Sequence, residues 1–188
     1  GQSKIALVMN SSGYVLTAEN GDVESYDASG NLQQIVGRDG YTRTLTYNTS
    51  SDSDVASVNT VTDSQGRVLS FTYDYNGQLS QLTLPDGTWV KYGYEPLGSL
   101  ASVGYADGSS VGYKYENANF PRALTAWVDE NQQTYATWTY DNTTGAATAS
   151  ALAGNVDTST LVYSGNATTL TDNLGAQRTY NFQTIVGG

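Results

Sequence analysis

Apolar and polar residues alternate in short runs along this chain. Leu69, Phe71 and Tyr73 are separated by Ser70 and Thr72; Val90, Tyr92 and Tyr94 by Lys91 and Gly93; Val111, Tyr113 and Tyr115 by Gly112 and Lys114. A period of two sends successive side chains to opposite faces of an extended backbone, so these runs read as β-strands with one buried face. Each run spans about six to nine residues and ends at a turn-forming cluster, the signature of chained hairpins. The pattern predicts about seventeen strands, an all-β antiparallel meander and negligible helix.

Two kinds of reversal separate the strands. The first has the form Y-[DE]-x-x-G, as in Tyr73-Asp74-Tyr75-Asn76-Gly77, and is read as a type I turn closed by a glycine at positive φ. Asp27 with Gly30, Asp74 with Gly77, and Gly98 after Glu95 take these positions, and Gly66 matches them. The second is an Asp-Gly pair read as a tight hairpin turn: Asp39-Gly40, Asp86-Gly87 and Asp107-Gly108. Tyr73, Tyr94 and Tyr115 lie 21 residues apart, as do Asp86 and Asp107, so the chain repeats. A fixed period of this size means stacked units, each completing the core of its neighbour.

The repeat is looser towards both ends. Tyr26 and Tyr47 keep the 21-residue interval, while Asp129, Asp141 and Asp172 open degenerate versions downstream. Two interruptions are expected: a polar protruding loop at 48–59 and a Pro-containing bend at 116–124. The whole of 1–188 reads as a single segment of a long twisted strip that curls, because many-stranded sheets do not stay flat. Its tyrosines are expected to stack one strand-pair apart on a concave face, over a thin core.

Composition narrows the chemistry. With no His and no Cys among 188 residues, Ser-His-Asp triads, Cys-His nucleophiles, disulfides and ordinary zinc sites are excluded. The formal charge of −10 comes largely from turn acids, whose short carboxylates accept backbone hydrogen bonds. Eight scattered Lys and Arg form no phosphate-binding stripe, which disfavours nucleic acid. No apolar run is long enough for a membrane span, and the N-terminal residues do not form a signal peptide.

Candidate sites are few. Asp52 and Asp54 lie in a Ser/Asp loop without the remaining ligands of a calcium loop, so no metal or cofactor is expected. Asp129 and Glu130 are adjacent strand-end acids without an identifiable partner carboxylate, and no enzymatic activity is expected from them. Trp89, Tyr92, Trp127 and Trp138, with Tyr94, Tyr113 and Tyr115, would form a sugar-stacking platform; the plainer reading is a structural aromatic ladder at the repeat period.

The phrase Y-D-x-x-G-x-L…D-G…Y-x-Y, from Tyr73 through Tyr94, resembles the YD repeat of the Rhs family over about residues 14–187. Residues 105–141 and 168–187 resemble the Rhs proteins of Gram-negative bacteria. The resemblance implies a secreted polymorphic toxin whose repeats wind into a hollow shell around a C-terminal toxin domain, delivered by type VI secretion or a related route. Similar repeats occur in insecticidal toxin complexes and teneurins. The chain departs from the family pattern in being too short for a closed shell, in lacking its Asp-Pro-Gly-Leu-type core motif, and in carrying no recognisable toxin domain.

The function expected is therefore a non-catalytic wall segment of a toxin-enclosing shell, secreted or delivered out of a bacterial cell. Its expected partners are other repeat segments and the parent's toxin domain, with the secretion apparatus or a glycan beyond these. The alternative is a glycan- or cell-surface-binding β module. Lys4–Met9 and Arg178–Val186 are expected as unguarded edge strands that favour self-association.

Overall fold

A computed structural model describes residues 5–48 and 57–183. Among these residues there are seventeen strands and one short 3-10 turn at Ala153–Asn155. The chain divides into two compact units, at Lys91 and Tyr92.

The first unit contains β1 (Ala6–Asn10), β2 (Gly13–Thr17), β3 (Val23–Tyr26), β4 (Leu32–Val36), β5 (Thr42–Asn48), β6 (Ser57–Asp63), β7 (Val68–Tyr73) and β8 (Leu79–Thr83). The division falls within β9 (Trp89–Tyr94). The second unit continues with β10 (Leu100–Tyr105), β11 (Ser110–Lys114), β12 (Ala126–Val128), β13 (Thr134–Tyr140), β14 (Ala147–Leu152), β15 (Val156–Ser164), β16 (Ala167–Thr171) and β17 (Gln177–Asn181). Within each unit, consecutive strands pair antiparallel, from β1–β2 to β7–β8 and from β10–β11 to β16–β17. β9 pairs with β8 through Trp89, Val90 and Lys91, and also with β10. The fold is an all-β antiparallel meander.

Register assigns the faces. In the first unit Thr44 pairs with Thr62, Thr46 with Thr60, Thr60 with Ser70, and Ser70 with Thr83. Paired residues share a face, so one face carries a band of hydroxyls; Thr46 Oγ1 and Thr60 Oγ1 lie 2.7 Å apart in a hydrogen bond. The opposite face carries Leu45, Val61, Leu69, Phe71 and Leu82 together with the repeat tyrosines. In the second unit Val103 and Val111 pair, as do Tyr113 and Trp127, and Trp127 and Ala136.

Burial is shallow, as a single sheet requires. Val103, Val111, Ala126, Val128 and Ala136 are the buried apolar residues, and no described side chain is fully enclosed. Most strand residues are half-buried on both faces, so neighbouring hairpins supply the cover that a second layer supplies elsewhere.

Several boundaries differ from expectation. The loop at 48–59 is shorter at both ends: Asn48 closes β5, and Ser57, Val58 and Asn59 open β6. Val58 and Ser57 pair with Tyr47 and Asn48, and that pairing overrides the polar composition on which a loop was expected. Residues 49–56, with Asp52 and Asp54, lie outside the described residues. The first edge begins at Ala6 and extends to Asn10, whose Oδ1 accepts from Ser12 N at 2.8 Å and closes the turn; Lys4 lies outside the described residues. The last strand ends at Asn181, five residues short of Val186, and residues 184–186 are likewise outside.

The bend at 116–124 falls between β11 and β12. Asn117 Oδ1 accepts from Asn119 N and Phe120 N at 3.0 and 3.1 Å, and Ala123 N donates to Phe120 O at 2.9 Å. The Phe120 ring lies on Gly145, where an added Cβ would come within 2.8 Å of Phe120 Cε1.

Candidate functional site

Backbone amides near each reversal need acceptors, and the turn acids supply them. Asp74 N donates to Gln78 O at 2.8 Å, Gly77 N to Asp74 O at 3.0 Å, and Gly77 has φ 76°. Asp74 Oδ1 accepts from the backbone N–H of Asn76 and of Gln78, both at 2.9 Å. Asp27, Asp63, Asp129 and Asp172 repeat this pattern through the residues two and four positions on.

The two reversals, expected to differ in kind, have one geometry. Leu84 N donates to Thr88 O and Gly87 N to Leu84 O, with Gly87 at φ 85°, as at Asp74–Gly77. Gly37–Gly40 and Tyr105–Gly108 close in the same way, and Gly30, Gly40, Gly98 and Gly108 all have positive φ. What differs is the place of the acid. It opens the turn in the first kind and precedes the glycine in the second, where Asp86 Oδ1 accepts from both the backbone N and Oγ1 of Thr88 at 2.9 and 2.7 Å. Asp107 does the same with Ser109, and Asp39 accepts from Tyr41 N at 3.0 Å.

Hydroxyl and amide donors hold several of these carboxyls below their ordinary range. The Asn31 side chain does so first for Asp27, the Thr88 hydroxyl for Asp86, the Ser109 hydroxyl for Asp107 and the Thr144 N–H for Asp141. At Asp63 burial pushes the carboxyl up, but the Tyr41 hydroxyl and Arg67 outweigh it and hold the group well below the usual range.

The repeat tyrosines bond through their hydroxyls. Tyr47 donates its hydroxyl to Leu32 O at 2.6 Å, Tyr73 to Val58 O at 2.8 Å and Tyr115 to Leu100 O at 2.9 Å, each reaching fifteen residues back. Tyr140 donates to Leu124 O at 2.7 Å and Tyr163 to Ala147 O at 2.8 Å, each reaching sixteen back. Three of the acceptors stand at a defined place. Leu32 is the residue opposite Tyr26, Val58 opposite Tyr47, and Ala147 opposite Tyr140.

At each of those pairs the register shifts by one residue, a β-bulge that interrupts the ladder. A carbonyl beside such an interruption needs a donor from outside its own hairpin, and the next tyrosine provides it. The same bulge recurs at Tyr73 opposite Leu79. Burial raises the phenol pKa of Tyr47, Tyr73 and Tyr115. This hydroxyl-to-carbonyl ladder is absent from the hydrophobic pattern, which does not distinguish Tyr from Phe; the signal available was composition, 15 Tyr against 3 Phe.

The proposed aromatic platform is only partly assembled. Trp89 pairs with Thr83 and Val90 with Leu82, which places Trp89 and Lys91 on the hydroxyl face and Tyr92 on the other. Lys91 Nζ lies 4.4 Å from the Trp89 ring centre, a cation–π contact. Trp127 and Trp138 share a face, being opposite and two residues beyond Ala136. Trp127 meets Tyr135 edge-on at 4.7 Å, because the bulge places both Tyr135 and Ala136 opposite it. Trp138 lines a cavity of about 580 Å³ below the 116–124 bend, with Glu116, Asn117, Asn119 and Asn142. Among the described residues no cluster of acids has the arrangement of a metal site, and no helix is long and apolar enough to cross a membrane.

Comparison with known proteins agrees with this geometry. The RHS Repeat family model matches residues 58–88, from β6 to the turn after β8. No curated protein matches the chain. Among solved structures, a Tc holotoxin pore of Photorhabdus luminescens with a TccC3 mutation is 16% identical, with a TM-score of 0.58 over 84% of this chain and 9% of that one. The TcdB2-TccC3-Cdc42 structure is 14% identical with a TM-score of 0.40, covering 89% of this chain and 9% of that one. A porin-like protein from Bacteroides uniformis is 14% identical with a TM-score of 0.38, covering 94% and 92% of the two chains. The likeness to the holotoxin chain shows the fold, and the present chain spans 9% of its length.

Proposed function

We propose that this Rhs/YD-repeat chain is a structural, non-catalytic segment of a shell wall over 1–188, which in its parent protein encloses a C-terminal toxin and helps deliver it out of a bacterial cell. The observation that carries this reading is the tyrosine ladder. Tyr47, Tyr73, Tyr115, Tyr140 and Tyr163 each commit a hydroxyl to a main-chain carbonyl fifteen or sixteen residues earlier. Groups so committed serve continuity of the sheet, and they tie repeat to repeat without a second layer. Other repeat segments are then the natural neighbours of the strip, and the toxin domain its cargo.

Limited proteolysis of the full parent protein tests this reading. The C-terminal region is expected to resist digestion while the repeats are folded, and to become sensitive when Tyr73→Phe and Tyr115→Phe are combined to open the ladder. Digestion as fast in the intact protein as in the C-terminal region expressed alone would overturn enclosure.

One observation favours a second reading, a glycan-binding module. Trp138 lines its cavity beside three asparagines and Glu116, a ring-and-amide arrangement suited to the faces and hydroxyls of a sugar. Glycan-array binding lost in Trp138→Ala would promote it; silence across the array would remove it.

A further inference from the structure

A corner of the first unit, where β5, β6 and the turn after β6 meet, holds two arginines around one acid. Arg43 pairs directly with Asp63 across β5 and β6, yet among the described residues the Arg43 side chain has no hydrogen bond or ion pair. The reason is that Asp63 is already fully engaged. Its Oδ1 accepts from the backbone N–H of Gln65 and Arg67 at 2.8 and 2.9 Å, and its Oδ2 from the Tyr41 hydroxyl and Arg67 Nε at 2.7 and 2.6 Å. Arg67 also donates through Nη2 to the Tyr41 hydroxyl at 3.1 Å, which leaves Nη1 uncommitted among the described residues. Two guanidinium charges against one carboxylate make the corner formally +1, in a chain of net −10.

Beside these groups lies a cavity of about 260 Å³. Val61, Leu69 and Pro85 form its apolar walls, and both arginines line it together with Tyr41 and Asp63, whose carboxylate is saturated by its own turn. Apolar walls exclude a fully hydrated, multiply charged anion, because its shell would have to be stripped without enough donors to replace it. A planar monoanion matches both the unbalanced single charge and the fork of a guanidinium.

We propose that this corner binds a carboxylate attached to a compact apolar body, with the carboxylate on Arg43 and Arg67 and the body against Val61, Leu69 and Pro85. Such a group occurs in a free acyl amino acid and at the C-terminus of a peptide chain, and the two sources share this chemistry. The site stands independently of whether the strip serves as a shell wall.

Titration of the protein with N-acetyl-L-leucine, followed by amide and arginine Nε shifts in two-dimensional NMR, is the test. Saturable shifts at Arg43, Arg67 and Leu69 with a dissociation constant of about 1 mM are expected, since two charge-assisted contacts from exposed guanidinium groups and a small apolar body support no more. N-Acetyl-L-leucinamide, with the same body and no charge, is expected to give none. Arg43→Gln, a change at an exposed side chain, should weaken binding about tenfold with an unchanged far-UV spectrum. Tetrapeptides ending in leucine, with a free or an amidated C-terminus, assign the source. Tighter binding of the free-ended peptide than of N-acetyl-L-leucine identifies a chain terminus, and weaker binding identifies a small acid. Equal shifts from acid and amide, shifts that spread without saturating, or wild-type affinity in Arg43→Gln would overturn the proposal.

Discussion

Tyr73→Phe isolates one rung of the ladder. The ring stays in place against its neighbours, so no apolar transfer term changes and no cavity opens. What is lost is the 2.8 Å hydrogen bond from the hydroxyl to Val58 O. A net protein hydrogen bond contributes about 1 kcal/mol, and leaving its acceptor unpaired in a half-buried position adds to that, so the expected loss is about 1–2 kcal/mol. That changes the folded-to-unfolded ratio by about 5- to 30-fold, readily seen as a lower urea midpoint at unchanged slope. Tyr75 provides the control two residues away. It is 97% exposed and lies in the turn itself, so Tyr75→Phe should stay within about 0.5 kcal/mol of the parent. Equal midpoints for Tyr73→Phe and Tyr75→Phe would refute the idea that the hydroxyls hold the repeats together.

Three further outcomes follow from the same geometry. Gln132 sits at φ 61°, in the turn position that glycine fills elsewhere, so Gln132→Gly should raise stability by up to about 0.5 kcal/mol in urea unfolding, the relief of left-handed strain outweighing glycine's extra entropy and the loss of the long, exposed bonds from Gln132 Nε2 to Ser110. The folded carboxyls of Asp27, Asp63, Asp86, Asp107 and Asp141 lie below their unfolded values, so their stabilisation is present above the unfolded value near pH 4 and is lost as pH falls through the folded ones. Urea midpoints should accordingly be flat from about pH 7 to 5 and decline below about 4, and Asp86→Asn should shrink that decline. β1 is exposed throughout, with Met9 at 76% and Leu7 at 65%, so sedimentation velocity should show self-association that strengthens with salt as the net charge of −10 is screened. A strict monomer at high protein concentration in both low and high salt would count against that edge.

Much of the architecture was legible because it is local. Period-two runs such as Leu69–Tyr73 and turn glycines such as Gly77 and Gly87 depend on residues close in sequence, and they place the meander. The ladder was not legible in the same way, since the acceptor of Tyr73 is fifteen residues back and is presented by a bulge that no turn residue announces. Glycine marks a positive-φ position only where glycine is present; at Asp129–Gln132 the turn closes around glutamine, and the sequence carries no sign of strain. Trp89 and Tyr92 looked like partners in a platform because both are aromatic and near one another, but an odd spacing in a strand puts them on opposite faces. Arg43 looked isolated, and only the saturation of Asp63 by its own turn explains why it stays so.

The central claim is that the middle of the chain consists of equivalent 21-residue units, each tied to an earlier one, and excision of one unit tests it most directly. Removing residues 74–94 joins Tyr73 to Glu95, which then takes the place of Asp74, whereas removing 74–83 joins Tyr73 to Leu84, sets Thr72 opposite Val90 and breaks the alternation. Far-UV circular dichroism with urea unfolding of the two deletions should show an antiparallel β spectrum and a cooperative transition for the 21-residue excision, and the loss of both for the shorter one. A 21-residue excision as unfolded as its control would contradict the repeat account.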